Sequence, residues 1–335
     1  MKNCEVKRVP ISRLLSNKTN YFYSAISNYI KLFINYYYKF FSIMLEHIGH
    51  HMLGRINYRF NSGGEFSNRI KRRHHLLWRE AEPLRRLWLT QKHPLNEWRD
   101  ENLWQRRLSN KLNAKEFAQL NGCKTSELYW KGRNVEKIDF STLPAQYVIR
   151  PTRGSGCTGV FLMNDGLNLL DNKRYSPEEI VLLLRACVSE FPNQHILVEE
   201  FLQNEAGEYL IPVDYKFYCF NGKIAGISVI NRFGNHGGTR SFFNEDWIPM
   251  KPLLFSFPYD NISEQAKPKC FDEMVEQVKK LSKIYGIFVR IDFYATSKGA
   301  VFGEFTPTPG LGMGFTKFGQ KLFTAYWDQY CKGQI

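Results

Sequence analysis

Nothing in this chain spells out a zinc-binding or disulfide framework. Its seven cysteines, Cys4, Cys123, Cys157, Cys187, Cys219, Cys270 and Cys331, are odd in number, scattered and never at CxxC spacing. The eight histidines do not complete a zinc motif, so reduced thiols in a cytoplasmic chain are expected. The composition excludes a multi-span membrane protein, and the one conspicuous apolar stretch, residues 29–45, is interrupted too often by polar residues for a span of roughly 20 mainly apolar residues. Met1–Ser16 is charged and carries no small-residue cleavage site after an apolar run, so no signal peptide is read there. No Gly-Lys-Ser/Thr follows a glycine loop, and no GxGxxG opens a helix, which removes the commonest phosphate-binding signatures. Acidic residues are the scarce charge: 32 Asp+Glu stand against 46 Lys+Arg, a net +14.

What is present is a soluble, globular composition, with 43% hydrophobic and 23% charged residues over 335 positions, about two domains' worth. The positive charge is concentrated at the front. Residues 1–110 hold 20 basic and 8 acidic side chains, leaving 26 and 24 for residues 111–335. Within the basic region, residues 29–45 (YIKLFINYYYKFFSIML) place Lys31, Asn35 and Lys39 on one helical stripe and aromatic and aliphatic residues around the rest. Such a helix suits peripheral contact with an anionic membrane at its inner face, or packing against the protein itself. Asn61-Ser-Gly-Gly64 reads as a linker. Arginines and tryptophans alternate through residues 69–107 without any recognised nucleic-acid module, so no nucleic-acid partner is expected. A basic, aromatic helical region (1–75) and a helical lead-in (76–146) thus precede the rest of the chain.

From about residue 111 the pattern is regular. Strands are predicted at Tyr147–Arg150, Gly159–Met163, His195–Leu202, Pro212–Phe220, Lys223–Asn231, Ile287–Ala295 and Ala300–Thr306. Ser176-Pro-Glu-Glu179 is a capping box with proline at the first helical position, and Asn221-Gly222 is a strong hairpin signal. Phe271, Met274, Val275, Val278 and Leu281 mark one face of a helix that ends before Gly286. Helices mixed with hairpins indicate an α+β fold, not a doubly wound parallel sheet.

Three features carry chemistry. In the last hairpin, alternation puts Arg290, Asp292 and Tyr294 on one face, and Phe302, Glu304 and Thr306 share a face of the partner strand. A turn centred near Lys298 sets Asp292 and Glu304 opposite one another. Opposed carboxylates repel, so a divalent cation, a basic neighbour or a shared proton must compensate. Two carboxylates plus a neutral oxygen, completed by water and phosphate oxygens, is how Mg2+ is usually held. The second feature is Val148–Val160 (VIRPTRGSGCTGV), a strand ending at Arg150 and running into a glycine-rich turn able to offer backbone N–H groups to phosphate. The third is Ile196–Leu202 (ILVEEFL), an apolar strand ending in paired acids, followed by Asp214-Tyr-Lys216.

Taken in order, these features resemble the ATP-grasp superfamily, most closely its TupA-like branch. The matching stretches are Lys111 in LSNKLNAKEFAQLNG, VIRPTRGSG, VEEFL, DYKFYCFNGKI, and VRIDFY with GEFTPTPG, which together cover roughly residues 105–330. The resemblance implies two α+β subdomains, 147–205 and 206–335, clamping ATP. On that basis Lys111 and Arg150 reach the phosphates, Gly154, Ser155 and Gly156 form a loop over them, and Lys216 lies nearby. Glu199, Glu200, Phe201 and Leu202 would form the hinge at adenine. Arg290 would contact the transferring phosphoryl group or the acyl intermediate, and Asp292, Glu304 and Thr306 would hold Mg2+. Arg150 stands where the family usually has lysine, and a planar fork is not a point charge. Thr306 stands where many members have asparagine.

The activity implied is an ATP-dependent, ADP-forming carboxylate–amine ligation through an acyl phosphate. Its partners would be a carboxylate and an amine, with an amino acid or peptide joined to an acidic cell-surface polysaccharide or its precursor. A sugar or polyol kinase, and a nucleotide-binding membrane-associated protein without turnover, are the alternatives. Residues 229–247, with Arg232, His236 and Arg240, are a candidate substrate segment.

Overall fold

The computed structural model describes residues 63–153, 159–190, 193–235, 237–255, 260–261 and 264–334. The stretch 29–45 and the loop residues Gly154, Ser155 and Gly156 lie outside the described residues, as does His236.

Two six-stranded sheets organise residues 63–334. The first contains β1 (Leu128–Gly132), β2 (Gln146–Pro151), β3 (Phe161–Asn164), β4 (Leu167–Asn168), β5 (Lys173–Arg174) and β6 (Ile196–Glu200), in the order β1-β6-β2-β3-β4-β5. The second contains β7 (Asp214–Phe220), β8 (Lys223–Arg232), β9 (Gly238–Phe243), β10 (Asp260–Asn261), β11 (Phe288–Thr296) and β12 (Gly299–Thr306), in the order β10-β9-β8-β7-β11-β12. The longer helices are α1 (Glu65–Glu80), α2 (Lys111–Leu120), α3 (Pro177–Glu190), α4 (Phe271–Tyr285) and α5 (Lys317–Tyr330). α1 runs without a break across residue 75. Among the described residues, no helix is long and apolar enough to cross a membrane.

The local signals explain the element boundaries. Ser176 and Glu179 close the capping box: the Ser176 backbone N–H donates to Glu179 at 2.8 Å and the Glu179 N–H donates back to Ser176 Oγ at 3.3 Å. At the β7–β8 turn Asn221 and Gly222 both have positive φ, 48° and 88°, the backbone twist a two-residue hairpin demands.

Burial then assigns the faces. Ile149, Met163, Ile180, Leu184, Ile196 and Val198 close the space between the first sheet and α3. Tyr215, Phe217 and Cys219 of β7 and Val289, Ile291 and Phe293 of β11 turn toward α4. The opposite face of β7 divides along its length. Tyr218 and Phe220 join Phe66, Phe288, Phe323 and Trp327 in an aromatic core beneath α1 and α5, whereas Asp214 and Lys216 take up the polar end. That polar end is where the candidate site forms.

Candidate active site

Strand register builds the site. Across β12, β11, β7 and β8, Glu304 pairs with Asp292, Asp292 with Lys216, and Lys216 with Ser228. Thr306 pairs with Arg290 one step along. Directly paired residues point to the same face of a sheet, so these side chains form one contiguous polar row.

A bulge produces this alignment. The hairpin turn sets Thr296 opposite Gly299, a register that carried straight on would bring Asp292 opposite Gly303. One extra residue in β12, Gly303, moves Glu304 into that place. A Cβ at Gly303 would lie 3.0 Å from the Asp292 backbone oxygen and 3.1 Å from the Tyr294 ring, which only glycine avoids. The bulge also corrects the expectation that Phe302 shares a face with Glu304. Phe302 pairs with Phe293, meets it edge-on at 5.8 Å and lies in the core beside Phe305. Straight alternation fails there because the inserted residue reverses it.

Basic neighbours lie between the opposed carboxylates. Arg290 donates from Nε to Asp292 Oδ1 at 2.6 Å and from Nη2 to Asp292 Oδ2 and Glu304 Oε1, each at 2.7 Å. Lys216 Nζ donates to Asp292 Oδ2 at 2.6 Å and lies 3.3 Å from Asp214 Oδ2, which Arg232 also holds. Thr306 donates its hydroxyl to Glu304 at 3.1 Å. Burial opposes ionisation of Glu304, yet Lys111, Arg290, Lys216 and Arg150 together draw its carboxyl down to about 2. Burial raises the Asp292 carboxyl against the pull of Arg290 and Lys216, and burial likewise lifts the Tyr294 phenol well above its ordinary range.

The first sheet and α2 supply a second charged group. Glu199, 1% exposed, accepts hydrogen bonds from Lys115 Nζ and Arg150 Nε, and Lys115 also donates to the Ser126 carbonyl at 2.7 Å. Burial disfavours the Glu199 anion, but Arg150 and Lys115 draw its carboxyl down to about 2. Lys111 opens α2, and its backbone N–H donates to the Thr152 carbonyl just beyond β2. Burial lowers the Lys111 ammonium, with Glu304 drawing it back up.

The sequence-derived residues thus fall into two sets. Lys111, Arg150, Lys216, Arg290, Asp292, Glu304 and Thr306 come together electrostatically, since Glu304 is acted on by Lys111, Arg150, Lys216 and Arg290. The four hinge residues have separate engagements. The Glu199 carboxylate serves Arg150 and Lys115, Glu200 binds Lys298 and the Glu127 backbone N–H, Phe201 packs on Tyr209 at 5.5 Å, and Leu202 is buried. Residue patterns missed Lys115, and they named Asp214 and Tyr294 without a role; Arg232, read as part of a candidate substrate segment, holds Asp214. Lys115 was accessible in principle, because it follows Lys111 by four residues on the same helical face.

The donor set on the paired strands is all oxygen: two carboxylates in register and one hydroxyl. This fits Mg2+, which binds through one or two carboxylates and completes its shell with water and phosphate oxygens. Among the described residues no three His, Cys, Asp or Glu side chains converge as a ready-made metal cluster.

A model of the TupA-like ATPgrasp family matches residues 89–325, and the chain belongs to that family. Its fold is accordingly a mixed α+β ATP-grasp fold, preceded by helices. Among solved structures it is similar to the D-alanine–D-alanine ligase of Helicobacter pylori, with 16% identity, 67% of this chain and 61% of that one covered, and a TM-score of 0.41. It is also similar to the ATP complex of D-alanine–D-alanine ligase from Bacillus anthracis, at 15%, 67%, 62% and 0.40. An L-amino acid ligase from Bacillus licheniformis matches at 17%, 62%, 44% and 0.39. The chain spans about three fifths of the length of the first two ligases. No curated protein matches it.

Proposed function

We propose that this chain is an ATP-dependent, ADP-forming carboxylate–amine ligase. The carrying observation is the row Lys216, Asp292, Arg290 and Glu304, two carboxylates in register and cross-braced by cations, with Lys111 and Arg150 acting on it from α2 and β2. Asp292, Glu304 and the Thr306 hydroxyl would hold Mg2+, which when bound supplies charge neutralisation for phosphate oxygens. Lys111, Arg150 and Lys216 would bind and orient the phosphate chain of ATP. Arg290 would present guanidinium N–H groups to the transferring phosphoryl group, with the loop Gly154, Ser155 and Gly156 over it. The strand end Glu199, Glu200, Phe201 and Leu202 would border adenine.

In the proposed reaction a substrate carboxylate oxygen attacks the γ-phosphorus, the bond to ADP breaks, and an acyl phosphate forms. An amine then attacks the acyl carbon, its N–H proton is lost, and inorganic phosphate leaves as the amide forms. This chemistry needs positioned charge and excluded water, and no protein nucleophile. Family membership supports an amino acid or peptide as one substrate and an acidic polysaccharide precursor as the other. Peripheral contact of residues 29–45 with an anionic membrane belongs to the same proposal.

The test is ADP release with Asp292→Asn and Glu304→Gln. Each substitution removes charge that should be worth several kcal/mol to the phosphoryl transfer, so a loss of about 100-fold or more is expected. ADP release at the wild-type rate in either variant refutes the assignment. Product analysis separates ligase from kinase, because a ligase liberates one inorganic phosphate per product and a kinase liberates none.

A further inference from the structure

The helical lead-in contributes positive charge to the same end of the molecule from outside the residues that define the family. At the seam between β2, the N-terminus of α2 and the turn Leu84–Arg86, carboxylates are outnumbered. Glu82 is shared by Arg106 and Arg153, and Glu199 by Lys115 and Arg150. Arg85 has no carboxylate partner among the described residues; its Nε donates to the Ser109 carbonyl at 3.2 Å. Asn110 ties this turn to α2, capping the helix by accepting from the Leu112 N–H while its Nδ2 donates to the Arg85 carbonyl at 3.3 Å. The next residue, Lys111, is bonded through its backbone to Thr152, immediately before Arg153.

Arg85, Lys111, Arg150 and Arg153 are thereby fastened to one seam by backbone contacts and shared carboxylates. Two further observations concern the same seam. The Ser109 hydroxyl is enclosed yet has no hydrogen-bond partner, in the residue whose carbonyl holds Arg85. Burial lowers the Arg85 guanidinium to about 10 with Arg106 adding to the shift, and Arg85 and Arg150 both act to lower Lys111. Like charges held together against their repulsion are stabilised by an anion that several of them share. A guanidinium fork is well matched to phosphate oxygens.

We propose that Arg85 is a phosphate-binding residue that extends the Lys111–Arg150 cluster to the polyphosphate chain of the nucleotide. Arg85 precedes residue 89, where the family match begins, so family membership does not assign it this role. The proposal rests on the nucleotide reading above and deepens it.

The experiment is calorimetric titration of the full chain with ATP, AMP and inorganic tripolyphosphate, comparing wild type with Arg85→Gln and Arg85→Lys. The wild type should bind tripolyphosphate, and Arg85→Gln should weaken both ATP and tripolyphosphate by about 10-fold or more, as expected for a lost charge-assisted contact. AMP affinity should stay within about two-fold, and Arg85→Lys should recover part of the loss. If Arg85→Gln binds ATP and tripolyphosphate as the wild type does, or weakens AMP equally, the Arg85 assignment is wrong while the nucleotide reading stands. If the wild type binds tripolyphosphate through Arg85 but shows no affinity for ATP, the nucleotide reading fails and the anion cluster survives. A wild type that binds no tripolyphosphate overturns the cluster itself. Should Arg85→Gln not fold, the same comparison with Arg85→Lys decides, since it keeps the charge and removes the fork: unchanged tripolyphosphate and ATP affinity then counts against the proposal.

Discussion

Replacing Glu199 by glutamine tests the charged seam most directly. Glu199 is 1% exposed and holds two cations, Lys115 and Arg150, whose side chains are 6% and 17% exposed. Its carboxyl lies at about 2 against an ordinary 4.5. At 1.36 kcal/mol per pH unit this amounts to about 3 kcal/mol of stability at neutral pH. The same order follows from leaving buried cations without their counter-ion, which costs about 3–5 kcal/mol. A carboxyl whose folded value is depressed contributes fully above its unfolded value and loses that contribution as pH falls through the folded one. The wild type should therefore lose this increment between about pH 4.5 and 2, and Glu199→Gln should lack it at every pH. Urea unfolding of both proteins at pH 7 and pH 3 is the assay, with a slope common to both confirming that only stability has changed. Adding Lys115→Met to Glu199→Gln should recover part of the loss, because one stranded cation goes with it. A loss below about 1 kcal/mol at pH 7, or the same deficit at pH 3 as at pH 7, would refute the reasoning.

Two other substitutions probe the polar row. Lys216→Met takes a cation from both Asp292 and Asp214; removing a positive neighbour favours the protonated acid, so the acid limb of the ADP-release profile should move to higher pH, and an unmoved limb counts against Lys216 as the balancing charge. Gly303→Ala puts a Cβ 3.0 Å from the Asp292 carbonyl oxygen at the bulge. Displacing Glu304 should lower ADP release by about 10-fold or more for a stability cost of about 1–2 kcal/mol, and full activity with a lowered thermal midpoint would show that the bulge serves folding alone.

Much of the architecture was legible locally. The capping box at Ser176–Glu179, the Asn221-Gly222 turn and the alternation through Arg290, Asp292 and Tyr294 each reside in a handful of neighbouring residues, and the structure contains all three. Family motifs supplied Lys111 and Arg150 where periodicity alone would have left them as surface cations. The face of Phe302 was misread because a one-residue bulge leaves the polar and apolar composition of a strand unchanged while reversing the side chains beyond it.

The sequence by itself determined which residues could form elements, that those elements make an α+β fold, and that the excess positive charge sits at the front of the chain. Only the tertiary structure decided which charges neutralise which. Lys115 meets Glu199 across 84 positions, Lys216 meets Asp292 across 76, and Arg150 meets Glu199 across 49. These partnerships depend on strand order and register, β6 beside β2 and β7 beside β11, which local periodicity does not encode. A charged residue in the sequence is only a charge; burial beside a particular opposite charge makes it a strut, a ligand or a candidate participant in catalysis.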